Sequence, residues 1–197
     1  MSKILDYIKG KYEINITDNK TLGLSVVKCK EIALLLAKIN PDLFLLDDVY
    51  YFEEKLIQGL IIGYAKFDFS LTVNYLKEFV KKIDHWAICD STVANLKIFK
   101  KNLDQGLEFI EYCFNQFNPY TIRFAYVLLL SYYLDEKYLD YIFQKIRNEN
   151  SNEYYVKMAV AWLISYLYIK FPNETIRLFD GTLDKFINNK ALSKINV

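Results

Sequence analysis

The sequence has few of the residues that interrupt helices or make tight turns. Its 197 residues include only 6 Gly and 3 Pro, and 53% of them are apolar. So little Gly and Pro, with abundant Leu, Ile, Lys and Glu, argues against a turn-rich β-sandwich or a disordered tail. The chain is long enough to bury a sizeable core. We therefore expect one domain over residues 1–197.

Residues that bind metals or form disulfides are also scarce. Cys29, Cys89 and Cys113 lie far apart and form no C-x-x-C motif, which argues against a disulfide framework or a zinc module and favours a reducing compartment. His85 is the single histidine, and one histidine excludes most catalytic triads and two-histidine metal sites. We expect neither a metal nor a cofactor.

Long apolar runs are missing as well. The longest, Met158 to Ile169, is well short of the roughly 20 residues that span a bilayer. The charges scattered through residues 1–11 do not fit a signal peptide. We expect a cytoplasmic protein with no membrane contact. Lys and Arg total 25 against 24 Asp and Glu, a net charge of +1, so any surface for nucleic acid would have to be locally basic.

Apolar residues recur every three or four positions, which is typical of helices. The predicted helices span 25–38, 50–65, 71–82, 89–99, 103–117, 118–134, 136–147, 153–170 and 174–186. The helix over 118–134 begins at Asn118-Pro119, because Asn caps free amides and Pro suits the first helical position. The pattern shows no convincing strand, so the predicted fold class is all-α.

A longer period runs through the helices. Glu54, Asp90, Arg123 and Lys157 occur early in four otherwise apolar helices, at separations of 36, 33 and 34. Helix pairs recurring at this spacing are typical of an α-solenoid, whose pairs bury their faces against their neighbours. The pattern predicts a HEAT-like α-α superhelix whose concave inner face carries these four residues as a polar row.

Two tryptophans accompany the row. Trp86 lies four residues before Asp90, on the same helix face, and Trp162 follows about two repeats later. From the residues alone, two interpretations stay open. These four side chains line one site, or both tryptophans are core, Asp90 caps a helix and Arg123 pairs with an acid.

Three segments resemble the DNA alkylation repair family, the AlkD-like DNA glycosylases built of HEAT-like repeats. They are Trp86-Ala-Ile-Cys-Asp90, Ile122-Arg123-Phe-Ala125 and Lys157-Met-Ala-Val-Ala-Trp162-Leu. Supporting stretches are Leu22-Gly23-Leu24, Glu53-Glu54-Lys55 with Gly59 and Gly63, and Asn189-Lys190-Ala191.

The resemblance implies a monofunctional glycosylase that removes alkylated purines such as 3-methyladenine or 7-methylguanine from duplex DNA. It implies that Asp90 is the catalytic aspartate, that Trp86 and Trp162 lie beside the lesion, and that Arg123 contacts the DNA backbone. Lys157 is a further candidate for a phosphate contact, although a solvated lysine is the simpler interpretation. We expect a monomer.

Two features separate the chain from the family's usual pattern. The family's inner face is usually basic, whereas this chain is nearly neutral, and Phe124 occupies the position of a second arginine. The alternative function is therefore a non-catalytic helical-repeat protein that binds DNA structures or a protein partner. For Glu53 and Glu54 we expect a structural ion pair with Lys55 or Arg123.

Overall fold

The structure, a computed structural model, describes residues 2–16 and 20–195. Within these ranges the protein is all-α, without an extended strand. The α-helices of the described residues are α1 (Lys3–Lys11), α2 (Val26–Ile39), α3 (Pro41–Leu45), α4 (Phe52–Tyr64), α5 (Phe69–Phe79), α6 (Trp86–Val93), α7 (Leu103–Phe114), α8 (Pro119–Tyr132), α9 (Leu139–Arg147), α10 (Tyr154–Lys170), α11 (Pro172–Thr175) and α12 (Lys185–Ile195). Between Asn102 and Leu103 the chain divides into two compact units, unit 1 with α1–α6 and unit 2 with α7–α12.

Polar side chains set several of the helix starts. The Ser25 hydroxyl accepts a hydrogen bond from the Lys28 amide at 3.2 Å, and Asp68 Oδ1 accepts one from the Leu71 amide at 2.8 Å. The predicted start of α8 is confirmed, since Asn118 Oδ1 accepts from the Tyr120 amide at 2.9 Å and Pro119 is the first helical residue. Each cap satisfies an amide that has no partner inside the helix.

Unit 1 is built on three helices packed side by side, with α4 between α2 and α6. Gly59 and Gly63 allow the close approach of α4 to α6. A Cβ on Gly59 would overlap the Thr92 hydroxyl and the Phe79 ring, and one on Gly63 would lie 2.9 Å from the Asn95 Cβ. These two glycines are therefore packing residues, because no larger side chain fits the interface.

Replacing Gly59 by Ala should destabilise unit 1 by about 1–3 kcal/mol, because overpacking outweighs the gain in helix propensity. Gly10→Ala is the matched control, since a Cβ there meets nothing within 4 Å. That change should stabilise by about 0.5–1 kcal/mol. Urea unfolding of both variants tests this, and equal shifts in the midpoint would show that the α4–α6 contact is not tight.

Unit 2 repeats the arrangement, with α10 packed between α8 and α12, and α7 against α8. Helices α8 and α10 are apolar on most sides, and nine of the 14 residues of α8 and eight of the 17 residues of α10 are buried. In each unit, alternate helices along the chain pack next to one another, which is the contact pattern of a helical repeat protein.

The predicted helix over 174–186 is wrong. After α11 the chain makes a short 3₁₀ turn over Ile176–Leu178, and α12 begins only at Lys185. Asp180 stabilises the intervening turn, accepting from the Thr182 amide at 3.0 Å and from Arg147 Nη1 at 2.8 Å. Gly181, at φ +90°, adopts a conformation that L-residues rarely take.

Smaller differences occur at other helices. The predicted helix over 89–99 is α6, which begins at Trp86 and ends at Val93, followed by a 3₁₀ turn over Lys97–Lys101. On α2, the apolar Val27 is 67% exposed, whereas Ala33 is buried.

Two general findings accompany the fold. In the described part of the chain, no helix combines the length and apolar character needed to cross a membrane. Cys29, Cys89 and Cys113 are all buried and have free thiols.

Candidate functional site

The best-formed candidate site in unit 1 is the solvent-facing side of α6. Trp86 is the first residue of this helix and is 42% exposed. Asp90 follows one turn later and is partly exposed, so the indole and the carboxylate lie on the same helix face. The structure thus brings together two of the predicted site residues on an accessible surface.

His85 holds the start of α6 in place. Its Nδ1 accepts a hydrogen bond from the Ala87 amide at 3.1 Å, which makes His85 the N-cap. The imidazole packs edge-on against Phe52 of α4, with centroids 5.1 Å apart, and lies 5.6 Å from the Trp86 ring. The neighbouring Asp84 pairs with Lys55 Nζ at 2.6 Å. Helix α4 therefore supports the end of α6 that carries Trp86.

The cap requires a neutral imidazole, because a protonated Nδ1 cannot accept a hydrogen bond. Burial lowers the pKa of His85, and nearby Asp84 and Asp90 only partly oppose this effect. The neutral form is therefore favoured in the folded protein.

The stability of unit 1 should consequently fall as the pH drops below about 6.5, the ordinary pKa of histidine in an unfolded chain. A lowered folded-state pKa means that the unfolded state binds a proton first, so this contribution is present above that pH and is lost as the pH falls through the folded-state value. In His85→Asn the cap is kept without titration in this range. Urea unfolding at about pH 7 and pH 5 should show a larger loss for the wild type than for the variant. The same loss in both proteins would rule out His85 as the cause.

In unit 2, Arg123 of α8 is only 5% exposed. Its Nη1 donates a hydrogen bond to the Tyr155 carbonyl at 2.8 Å. The guanidinium is therefore held against the first turn of α10, and its burial leaves little of it accessible to a phosphate.

Lys157 also has a partner within unit 2. Its Nζ lies 3.0 Å from Asp184 Oδ2, and this hydrogen bond is the main reason why the pKa of Asp184 is lowered. Asp184 also accepts from the amides of Phe186 and Ile187 at the start of α12. Asp184 falls inside the predicted helix over 174–186, so its role before the start of α12 was not expected.

Trp162 lies on the open face of α10. It is partly exposed, and its ring meets Tyr166 edge-on at 6.1 Å between centroids. Tyr155, whose carbonyl binds Arg123, precedes it by two turns on the same face. Arg123 therefore binds the first turn of the helix that carries Trp162 two turns later.

The interpretation of Glu53 and Glu54 as members of an ion pair is wrong. Glu53 accepts hydrogen bonds from the amides of Leu22, Gly23 and Leu24 at 2.8–3.2 Å. Lys55 pairs with Asp84 instead. The short loop before α2 uses a carboxylate because it turns three amides toward one point.

Glu54 fills a similar role at the start of α4. It is 1% exposed, accepts from the amides of Tyr50 and Tyr51 at 3.1 and 2.9 Å, and binds the Ser2 hydroxyl. It is thus buried, and is not part of an open polar row.

Helix α6 of unit 1 offers a carboxylate and an indole ring, and unit 2 offers an indole ring and two cations. Within residues 2–16 and 20–195, no three His, Cys, Asp or Glu side chains are grouped as a metal site would need. A carboxylate can stabilise a nearby positive charge, and an indole face attracts cations.

The chain matches a known protein family over most of its length. Residues 6–178 match the family model described as DNA alkylation repair enzyme. Searches of curated proteins and of solved structures found no significant match.

Proposed function

The chain belongs to the DNA alkylation repair enzyme family, and on that basis we propose that it is a DNA glycosylase acting on alkylated purines in duplex DNA. Its substrates would be cationic bases such as 3-methyladenine and 7-methylguanine. The observation that supports this best is the partly exposed Asp90 one turn from the exposed Trp86 on α6.

A purine that is already cationic is a good leaving group. When the glycosidic bond breaks, its electron pair passes to the base nitrogen and neutralises the ring charge, so no general acid is required. The sugar becomes oxocarbenium-like. In this proposal, Asp90 stabilises that developing cation electrostatically. Water then adds to the anomeric carbon and releases a proton to solvent, leaving an abasic site.

The other predicted residues have binding roles in this proposal. Trp86 packs beside the lesion and its deoxyribose, where an indole face favours a cationic base. Trp162 of unit 2 is proposed as a further indole for contact with the DNA. Arg123 is proposed to contact a backbone phosphate, because a guanidinium can form a bidentate contact, although only 5% of the residue is exposed. Lys157 contributes only if a phosphate competes with Asp184.

The decisive test is release of 7-methylguanine from a methylated duplex, with free base measured by chromatography and mass spectrometry. The wild type should release free base and leave abasic sites, while an unmethylated duplex gives neither. Duplex binding without any base release would reject the catalytic proposal in favour of a non-catalytic DNA-binding protein.

A further inference from the structure

The N-terminal ends of α8, α10 and α12 in unit 2 are joined by four aromatic rings. Tyr120 packs against Tyr155 with centroids 5.6 Å apart, Tyr155 meets Tyr154 at 5.1 Å, and Tyr154 meets Phe186 at 5.7 Å. Each ring belongs to one of the first two residues of its helix. We call these four residues the aromatic ladder.

Much of the ladder faces solvent. Tyr154 is 53% exposed, and the other three rings are partly exposed. Phe117, two residues before α8, is fully exposed. Aromatic side chains gain stability mainly by burying their large surfaces, so a row of them left accessible at one end of a unit indicates a binding surface.

Several charged and polar groups around the aromatic ladder already have partners within the protein, so the rings themselves are the main accessible feature. Lys157 is paired with Asp184. Asn118 and Asp184 already cap the amides at the starts of α8 and α12. Lys190 Nζ lies 5.8 Å from the Phe186 ring centroid, so one cation lies beside the rings. The surface therefore offers π faces with Lys190 next to them, while Lys157 is paired with Asp184.

We propose that the aromatic ladder binds unpaired nucleotides by stacking on their bases. Tyr154 meets both Tyr155 and Phe186 edge-on, so bases would stack on individual exposed rings. Every base has a π face, so such stacking captures single strands without reading their sequence. The ladder continues into the residues proposed to contact DNA, because Tyr155 is both a ladder residue and the acceptor for Arg123. The choice of nucleic acid as the ligand rests on the proposed function.

Anisotropy of a fluorescein-labelled deoxyadenosine dodecamer tests the proposal. Tyr154→Ala should weaken binding by roughly 5- to 100-fold, the usual cost of losing a base-stacking aromatic ring. Tyr154→Phe keeps the ring and should bind within about twofold of the wild type. Because Lys157 is paired, wild-type affinity should depend only weakly on salt compared with duplex binding.

Tyr50→Ala is the matched control, since Tyr50 is 55% exposed but lies in unit 1, outside the ladder; it should bind like the wild type. Equal affinity of Tyr154→Ala and the wild type would overturn the proposal, as would binding of a proline-rich peptide without binding of the oligonucleotide. Base release from methylated duplex is measured separately. If Tyr154→Ala weakens oligonucleotide binding but the wild type releases no base, the glycosylase proposal is rejected and the proposal for the aromatic ladder is supported. If the wild type releases base but Tyr154→Ala binds the oligonucleotide as tightly as the wild type, only the proposal for the aromatic ladder is rejected.

Discussion

Asp90→Asn should lower the rate of 7-methylguanine release by about 100- to 1000-fold, the usual cost of removing one preorganised electrostatic group. Asparagine keeps the shape of the side chain and its place one turn after Trp86, but it removes the negative charge that the proposed mechanism uses to stabilise the developing sugar cation. Single-turnover release from a methylated duplex measures this step directly.

Because the change is nearly isosteric, duplex affinity and the urea midpoint should stay close to those of the wild type. Asp140→Asn is the matched control: it removes one negative charge from an exposed position on α9, and its release rate should be unchanged. Equal release by Asp90→Asn and the wild type would remove Asp90 from the mechanism and leave any activity to other groups.

Glu53→Ala should cost about 3–5 kcal/mol of folding free energy, because three amides that now donate to one carboxylate lose their acceptor. Glu53 is 2% exposed, so water cannot easily replace it. Glu53→Gln should also destabilise, because its NH₂ group would face an amide donor where Oε2 now accepts from Leu22. Urea unfolding followed by circular dichroism measures both effects.

A surface carboxylate provides the comparison. Glu78 pairs with Lys81 one turn away at 2.7 Å, and its side chain is 71% exposed. Glu78→Ala should change the unfolding free energy by at most about 0.5 kcal/mol. If Glu53→Ala and Glu78→Ala lowered stability equally, the amide cluster at Leu22–Leu24 would not depend on Glu53.

The helical fold could be predicted because its signals are local. The apolar period and Asn118-Pro119 identified α8 from short-range chemistry, and the structure places that helix over Pro119–Tyr132. The end of unit 2 could not be predicted in this way. The turn before α12 depends on Arg147 binding Asp180, 33 residues away. The spacing of apolar residues reports only local structure, so it cannot predict a polar contact at that distance along the chain.

In the candidate site too, the features set by local sequence could be predicted and those set by distant contacts could not. One helical turn separates Trp86 from Asp90, so the sequence alone predicts their common face. The environment of Arg123 depends on the Tyr155 carbonyl, 32 residues later. The prediction for Glu53 and Glu54 was wrong because a carboxylate next to a lysine in sequence indicates an ion pair. Their actual partners include backbone amides, and every residue except proline has an amide, so the sequence does not show which amides will be the donors. Whether the two units form one continuous domain stays a prediction.

The Glu53 contact also leads to an expectation about the order in which α4 and α2 form during folding. Glu53 is the second residue of α4, and its carboxylate is aimed at the Leu22–Leu24 amides only once that helix exists. Until α4 has formed, the amides of the loop before α2 have water but not Glu53 as acceptor, and forming the contact then costs the entropy of closing an intervening segment of about thirty residues. We expect unit 1 to nucleate at α4, with α2 adding afterwards.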